Sequence, residues 1–377
     1  MAPAVPALYA LRSRTSIAFL RSAAISACVS VAAAAPACSG PGTRPAPSAV
    51  QPTSVQHVAQ GSGTRALLIA VSPVSDRVAW ASGTQGTWLR TVDGGVTWMA
   101  GRVPGADSLQ FRDVHAVDAR TAFLLSIGNG AASRVYRTVD AGATWELQHV
   151  NPDSLGFYDC LDFWDARRGL LVGDAVDGGM VILSTDDAGA QWTRVPSAAL
   201  PQAADGEGSF AASGTCLTTG PDGRAWIVMN TPQRARLLRT ADYGRSWAVE
   251  TLPITTRQGS GAQSVVFHDA RHGVVLGGGY GVQPGDTLVA ITDDGGDTWV
   301  PGAAPPFRVG TWGGAFVTGA RPPTLVAVGP DGMAYTRNDG RSWVAIDSGN
   351  YWAVAFASGR AGWAVGTQGR ITRLRGW

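Results

Sequence analysis

An eight-residue turn signature recurs six times along this chain and constrains its fold more than any other feature. Each copy begins with Thr, carries Asp or Asn at its third position and Gly at its fifth, and ends in Trp. The copies are Thr91–Trp98, Thr138–Trp145, Thr185–Trp192, Thr240–Trp247, Thr292–Trp299 and Thr336–Trp343. Successive Trp residues lie 47, 47, 55, 52 and 44 residues apart. A period of this length indicates one supersecondary unit that is stacked repeatedly, as in a propeller or a solenoid.

Each unit contains four strand-length runs that are separated by Gly/Asp turns. In one unit the run Val265–His268 is followed by the turn Asp269–Gly273 and by the run Val274–Gly277; a third run then leads into the signature and a fourth starts at its Trp. No segment shows apolar residues at a spacing of about 3.6 over the length of a helix. Four such runs predict one blade of an antiparallel sheet, so the six signatures predict six blades.

A seventh blade follows the last signature. Residues 351–374 repeat the first three runs of a unit and lack a signature of their own, while Ser54–Val58 stands unassigned before the first unit. Because a ring of sheets must protect its edges, we expect a strand near residues 53–60 to complete the last blade. The sequence therefore predicts an all-β, seven-bladed β-propeller over residues 54–377, with four antiparallel strands per blade.

The basic residues of this chain are all Arg. No Lys occurs among the 377 residues, and the formal net charge is +2. The absence of Lys excludes Schiff-base and P-loop chemistry. A net charge so close to zero provides no basic field for nucleic acid, so we expect no nucleic-acid partner. No dinucleotide fingerprint leads from a strand into a helix, and we expect no cofactor.

Residues 1–37 are typical of a secretory signal peptide. Arg12, Arg14 and Arg21 precede a short apolar run of small residues, and Ala35-Pro-Ala37 provides a cleavage site. The run is too short to span a bilayer. We therefore expect an exported protein that is periplasmic or extracellular.

Residues 38–53 are rich in Pro and Ser and predict a flexible tether. Cys38 directly follows the predicted cleavage site. This position leaves two alternatives open, an ordinary secreted protein and a lipoprotein that is anchored to the membrane by acylation of Cys38.

Cys160 and Cys216 precede equivalent turns in successive units. Export would permit a disulfide between them. Equivalent positions in neighbouring blades need not bring two Cα atoms within bonding range, however. We expect two buried thiols, with a disulfide as the alternative.

The His residues of the chain are His57, His115, His149, His268 and His272. The last two are four residues apart, but they lie in a strand and the turn after it rather than on a helix. Their spacing therefore does not imply a shared metal ion, and we expect no metal site.

The turn signature resembles the Asp-box, or BNR, repeat of sialidases, sortilin-type receptors and several glycoside hydrolases. Over residues 54–377 the chain is more similar to the photosystem II stability/assembly factor-like group of seven-bladed propellers. The matching stretches are Val78–Gly86, Leu89–Trp98 and Gly362–Gly369. This resemblance implies a propeller that binds a protein partner, and it implies nothing about photosynthesis here.

We interpret the third residue of each signature as a scaffold residue. An Asp at this position accepts backbone hydrogen bonds across the turn, the Gly permits a positive φ, and the Trp packs between neighbouring sheets. One or two carboxylates per turn are too few to hold Ca²⁺. These scaffold residues are Asp93, Asp140, Asp187, Asp242, Asp294 and Asn338.

The repeat is least regular around the long step between Trp192 and Trp247, and this region is our candidate site. Departures from a repeat are where function is commonly grafted, because the scaffold does not need them. The candidate binding residues are Tyr158, Asp159, Asp162, Asp174 and Glu207. Asp174 and Glu207 are also the candidate catalytic residues. The alternative interpretation is an acidic, solvated loop.

Two functions are consistent with the sequence. The first is an exported, non-enzymatic propeller that binds a protein partner, in the assembly or stabilisation of an envelope complex. The second is a carbohydrate-active propeller, either a glycoside hydrolase or a glycan-binding protein. A hydrolase requires two carboxylates across a cleft, roughly 5–10 Å apart. Sialidase activity is disfavoured, because Phe111-Arg-Asp113 lacks the residues that flank the Arg motif of that family.

Overall fold

Seven sheets of four antiparallel strands make up residues 55–377, the part of the chain that the computed structural model describes. In chain order the first strands are β1 (Gln56–Gln60), β2 (Leu68–Pro73), β3 (Ala79–Gly83), β4 (Thr87–Thr91), β5 (Met99–Arg102), β6 (Phe111–Ala116), β7 (Ala122–Ser126), β8 (Arg134–Thr138), β9 (Glu146–Val150), β10 (Tyr158–Phe163), β11 (Gly169–Val176), β12 (Gly179–Thr185), β13 (Thr193–Arg194) and β14 (Leu217–Thr219). The others are β15 (Ala225–Asn230), β16 (Ala235–Thr240), β17 (Ala248–Leu252), β18 (Ser260–Phe267), β19 (Gly273–Gly279), β20 (Val289–Thr292), β21 (Val300–Pro301), β22 (Gly313–Phe316), β23 (Leu325–Gly329), β24 (Gly332–Thr336), β25 (Val344–Asp347), β26 (Tyr351–Ser358), β27 (Ala361–Gly366) and β28 (Ile371–Arg375).

Blades 1 to 6 each take four consecutive strands, beginning with β2–β5 and ending with β22–β25. The first strands of neighbouring blades contact one another around the whole ring, so they line the centre. The fourth strands are largely exposed, as in β5 and β21. The sequence-based prediction of a seven-bladed propeller is confirmed.

The seventh blade is completed by β1. This strand pairs antiparallel with β28, from Gln56 opposite Arg375 to Gln60 opposite Ile371. Closure by an N-terminal strand near residues 53–60 is therefore confirmed. The predicted signal peptide (1–37), the tether (38–53) and Cys38 lie outside the described residues.

Trp side chains fill the spaces between blades. Trp80, Trp226 and Trp363, each on the second strand of a blade, are fully buried. Trp226 stacks on Phe267 of the next blade with ring centroids 3.8 Å apart, and its Nε1 donates to the Gly295 carbonyl at 2.9 Å. Such pairs bury a large apolar area while satisfying the indole N–H, which holds neighbouring sheets in register.

All six signature turns share one hydrogen-bond pattern. The Thr hydroxyl donates to the Asp or Asn oxygen at 2.8–2.9 Å and accepts from the Gly N–H at 2.8–3.0 Å. The same Asp or Asn oxygen accepts from the backbone N–H four residues on. The Gly is required at the second turn, where Gly142 has φ +87° and an added Cβ would lie 2.3 Å from the Trp88 ring.

Cys160 and Cys216 form a disulfide, and our expectation of two free thiols was wrong. Their Cα atoms lie 6.1 Å apart. The two residues are buried at equivalent places in blades 3 and 4. The physical reason is that the first strands of adjacent blades converge on the centre of the ring, so equivalent residues there come within disulfide range.

Among residues 55–377 the only helical elements are short 3₁₀ turns, at Gly130–Ala132, Ser197–Ala199, Pro221–Gly223 and Thr367–Gly369. Within this part of the chain no helix has the length and apolar character that a membrane crossing requires.

Candidate functional site

The central channel opens into one cavity at each end. The upper mouth is a cavity of about 420 Å³ at the starts of the first strands, and Arg112, Asp159, Gln263, Trp312 and Trp352 are among the residues that line it. The lower mouth is a cavity of about 930 Å³ at the ends of these strands. The candidate residues divide between the two mouths and the space between blades.

Aromatic side chains form one wall of the upper mouth. Trp312 and Trp352 lie with ring centroids 4.2 Å apart, and Tyr280 lies 6.2 Å from Trp312. The Tyr280 side chain is 72% exposed, so it is available to a ligand. Phe210, from the long connection between blades 3 and 4, lines the same cavity.

Arg112 provides the positive charge of this mouth. Its guanidinium carbon lies 5.1 Å from the centroid of the Trp352 ring. Nη1 donates to the Ala211 carbonyl at 3.0 Å and Nη2 to Gln110 Oε1 at 3.1 Å, whereas the buried Nε has no partner. The side chain is therefore fixed in position at the mouth.

Asp159 and Asp174 form a carboxyl pair at the upper mouth. Asp159 is 1% exposed, and burial raises its pKa well above the usual range, with a further contribution from the nearby Asp174 charge. Burial also raises the pKa of Asp174 to about 6. The buried Oδ2 of Asp159 has no hydrogen-bond partner among the described residues.

The connection between blades 3 and 4 supports this pair. The Ser209 N–H donates to Asp174 Oδ1 at 3.2 Å. Gly208 is required beside it, because an added Cβ would lie 2.0 Å from the same oxygen. The irregular segment that the sequence singled out thus packs directly against the carboxyl pair.

Glu207 lies in the same segment but does not face the cavity. It is 1% exposed and forms a two-pronged ion pair with Arg236, whose Nε donates to Glu207 Oε1 at 2.6 Å. Glu207 Oε2 also accepts from the Ala204 N–H at 2.8 Å. These contacts fasten the segment to β16.

Tyr158 and Asp162 are also remote from the pair. The Tyr158 hydroxyl contacts His149 Nε2 at 3.1 Å, in the space between blades 2 and 3. Asp162 lines the lower mouth, where it contacts His115 Nδ1 at 3.0 Å and accepts from the Thr219 N–H at 2.8 Å. Of the five candidate residues, the structure brings together only Asp159 and Asp174.

Sequence reasoning missed Arg112 and the aromatic wall. Trp312 directly precedes the first strand of blade 6, and Trp352 is the second residue of the first strand of blade 7. A Trp at this position is absent from most of the repeats, and this was the available signal. Because neither Trp belongs to a turn signature, a structural role in the repeat does not explain why they are there.

The geometry favours binding over hydrolysis. Asp159 and Asp174 lie near each other on adjacent strands of one blade, whereas a glycoside hydrolase requires two carboxyl groups on opposite sides of a cleft, roughly 5–10 Å apart. Glu207 is neutralised by Arg236. The four carboxylates considered above therefore do not form an acid/base pair across a cleft.

Comparisons with known proteins establish the fold. No family model matches the sequence, and no curated protein sequence matches it either. Among solved structures, the chain is similar to YCF48 bound to a D1 peptide, with a TM-score of 0.59 and 16% identity over 86% of this chain and 97% of that one. For YCF48 from Cyanidioschyzon merolae the TM-score is 0.60, with 15% identity over 85% of this chain and 99% of that one.

A GH74 xyloglucanase from Xanthomonas campestris is also similar, with a TM-score of 0.57 and 19% identity. The match covers 84% of this chain but only 53% of the xyloglucanase. YCF48 is a photosystem II assembly factor, so the similarity implied by the sequence motifs is confirmed at the level of fold. The chain has the seven-bladed propeller fold that these assembly factors and glycoside hydrolases share.

Proposed function

We propose that this protein is an exported, non-enzymatic propeller that binds a segment of a protein partner at the upper mouth. The observation that carries the proposal is the position of Arg112, which is held against Trp352 inside an aromatic cavity. Arg, Trp and Tyr are the side chains enriched at the energetic centres of protein interfaces.

The carboxyl pair adds a second recognition element. Asp174 is partly exposed, lines the cavity and accepts hydrogen bonds, whereas Asp159 is buried beside it. A peptide backbone has carbonyl oxygens that can accept hydrogen bonds from Arg112 and N–H groups that can donate to the carboxyl pair. The YCF48 structure with a D1 peptide shows that a propeller of this fold can bind a peptide, which supports the proposal.

The proposed export has independent support in the described residues. Disulfides persist in oxidising compartments and are rare in the cytosol of most organisms. The Cys160–Cys216 bridge is therefore in accord with the predicted signal peptide. We propose that the protein resides in the envelope or outside the cell, where acylation of Cys38 would attach it to a membrane.

Glycan binding at the same mouth is the second candidate. The observation that favours it is the exposed ring of Tyr280 in the same cavity as the carboxyl pair, since sugars stack on aromatic rings and donate hydroxyl hydrogens to carboxylates. This candidate needs no hydrolysis and agrees with the position of Asp159 and Asp174 near each other.

Arrays of peptides and of glycans, probed with the purified protein, test the proposal. We expect specific peptides to bind and Arg112→Gln and Trp352→Ala each to weaken their binding at least tenfold. Arg321→Gln is the matched control, because Arg321 is an exposed Arg that lines the lower mouth. Binding of glycans without peptides, with the same dependence on Trp352, would favour the second candidate. Equal loss in Arg321→Gln would refute the assignment to the upper mouth.

A further inference from the structure

Three metal-ligating side chains converge at the lower mouth, on the turn between β18 and β19. The His268, Asp269 and His272 side chains each place a donor atom within 4.8 Å of the others. Asp269 Oδ2 lies 2.8 Å from His272 Nδ1 and 3.3 Å from His268 Nδ1. The sequence argued against a shared ion because no helix aligns the two imidazoles. In the structure the turn aligns them instead, with ring planes only 4° apart.

The backbone of the turn fixes the carboxylate. Asp269 Oδ1 accepts from the N–H groups of Arg271 and His272, both at 2.8 Å. This leaves Oδ2 directed at the two imidazoles. The Asp is therefore preorganised by the fold, and its second oxygen is available to a ligand.

The equivalent turn of blade 3 shows what is particular to blade 5. There Asp165 Oδ1 accepts from the N–H groups of Arg167 and Arg168 in the same way. The free oxygen, however, is neutralised by Arg168, whose Nε donates to Asp165 Oδ2 at 2.8 Å. In blade 5 an imidazole, His272, replaces this permanent cation.

The local cation of blade 5 is turned away from the cluster. Arg271 directs its Nε to the Asp293 carbonyl at 3.1 Å. The guanidinium of Arg271 therefore does not pair with the Asp269 carboxylate. The negative charge of this carboxylate is left to balance a bound cation.

A further carboxylate orients His268 from behind. Asp339 Oδ1 lies 3.7 Å from His268 Nε2, on the ring nitrogen opposite to the one that faces Asp269. The edge of the Phe316 ring also packs against His268, with centroids 4.9 Å apart. A His that ligates a metal commonly directs its second nitrogen at a carboxylate, which fixes the tautomer and the ring.

We propose that His268, Asp269 and His272 bind a divalent transition-metal ion of the zinc class. Two imidazoles and one carboxylate suit such ions better than Mg²⁺ or Ca²⁺. Ligand atoms around a tetrahedral zinc ion lie about 3.3 Å apart, close to the separations of Asp269 Oδ2 from the two imidazole nitrogens. His268 and Asp269 line the cavity of about 930 Å³, so the fourth coordination position opens toward the lower mouth. The site is independent of the proposed binding at the upper mouth.

Titration calorimetry of the untagged, purified protein with Zn²⁺ alone tests the site. We expect one ion per chain with micromolar or tighter affinity. Binding of Co²⁺ should produce the visible absorption of a four-coordinate ion with nitrogen and oxygen ligands.

Two variants take their design from other blades of the same chain. His272→Arg copies Arg168 of blade 3, and His268→Val copies Val117 of blade 2, so each keeps a side chain that an equivalent turn accommodates. We expect each to weaken Zn²⁺ binding at least tenfold with an unchanged circular dichroism spectrum. His57→Gln, which alters an exposed His outside the cluster, should leave affinity unchanged. The proposal would be overturned if both variants still bind one Zn²⁺ per chain with unchanged affinity, or if the wild-type protein binds no Zn²⁺.

Discussion

The carboxyl groups of Asp159 and Asp174 lie near each other at the upper mouth of the channel, where burial raises the pKa of both. A neutral Asp159 can donate to Asp174, whereas two charged carboxylates would repel each other in a poorly solvated site. This relationship ties the stability of the propeller to pH.

We expect the free energy of unfolding to fall as pH rises from about 4 to about 6. The pKa of Asp174 is about 6 in the folded protein and close to 3.8 when unfolded, so the native state binds more protons across this window. Asp174 contributes roughly 2–3 kcal/mol of this loss, at about 1.4 kcal/mol per pH unit. Chemical denaturation of wild type and Asp174→Asn at pH 4, 5, 6 and 7 measures it. Buried Asp159 contributes a slope of the same sign in both proteins, so the slope of the variant should be shallower by the contribution of Asp174 alone; identical slopes in both proteins would contradict the prediction.

The signature turns respond to acid in the opposite sense. Hydrogen bonds from the Thr144 side chain and backbone lower the pKa of Asp140 to about 2. Its stabilising effect is therefore complete above about pH 4 and is lost as pH falls toward 2. We expect Asp140→Asn to retain the turn, as Asn338 does in the sixth copy, and to weaken the acid sensitivity between pH 4 and pH 2. Asp140→Ala should instead lower the melting temperature at every pH. Thermal melts across pH 2–7 distinguish the two substitutions.

The disulfide should contribute strongly to stability. Cys160 and Cys216 are separated by 56 residues, and cross-linking a loop of this length restricts the unfolded chain. We expect the double substitution Cys160→Ala/Cys216→Ala to lower the free energy of unfolding by about 2–4 kcal/mol. Urea denaturation with and without dithiothreitol tests this. The reductant should destabilise the wild type and leave the double variant unchanged; a reductant effect on both would assign the loss to another cause.

Glu207→Gln should act on stability rather than on catalysis. The substitution leaves the Arg236 guanidinium buried without a counter-charge, which costs about 3–5 kcal/mol. Replacing both residues by apolar side chains, as in Glu207→Leu/Arg236→Met, should recover much of this loss. Denaturant midpoints of the two variants provide the comparison. A Glu207→Gln protein that keeps full stability but loses ligand binding would show that the carboxylate contacts the ligand.

The fold was predictable because its determinants are local and repeated. Each signature carries the donors and acceptors of its own turn, such as Thr91 and Gly95, so six copies specify six similar blades without reference to distant residues. The closing strand was predictable for a related reason, since an incomplete last blade requires a fourth strand.

The site was less predictable because it depends on the packing of the ring. Asp159 and Asp174 meet across a single blade, so their irregular neighbourhood in the sequence was informative. Arg112 and Trp352 belong to blades 2 and 7, and only closure of the ring brings them together. The disulfide was misjudged for the same reason, because the distance between first strands depends on how tightly seven blades converge.

The pairing of β1 with β28 has a consequence for the order of events during folding. Gln56 accepts a hydrogen bond from Arg375, a residue 319 positions later in the chain. During synthesis β1 therefore emerges before any complete blade, and its partner β28 emerges after the strands of the six other blades. Six blades can form from strands that are neighbours in the sequence. The ring closes only when β28, the last strand, pairs with β1, the first. Since contacts this remote in sequence are slow to form, the pairing of β1 with β28 should be the final and slowest step of propeller folding.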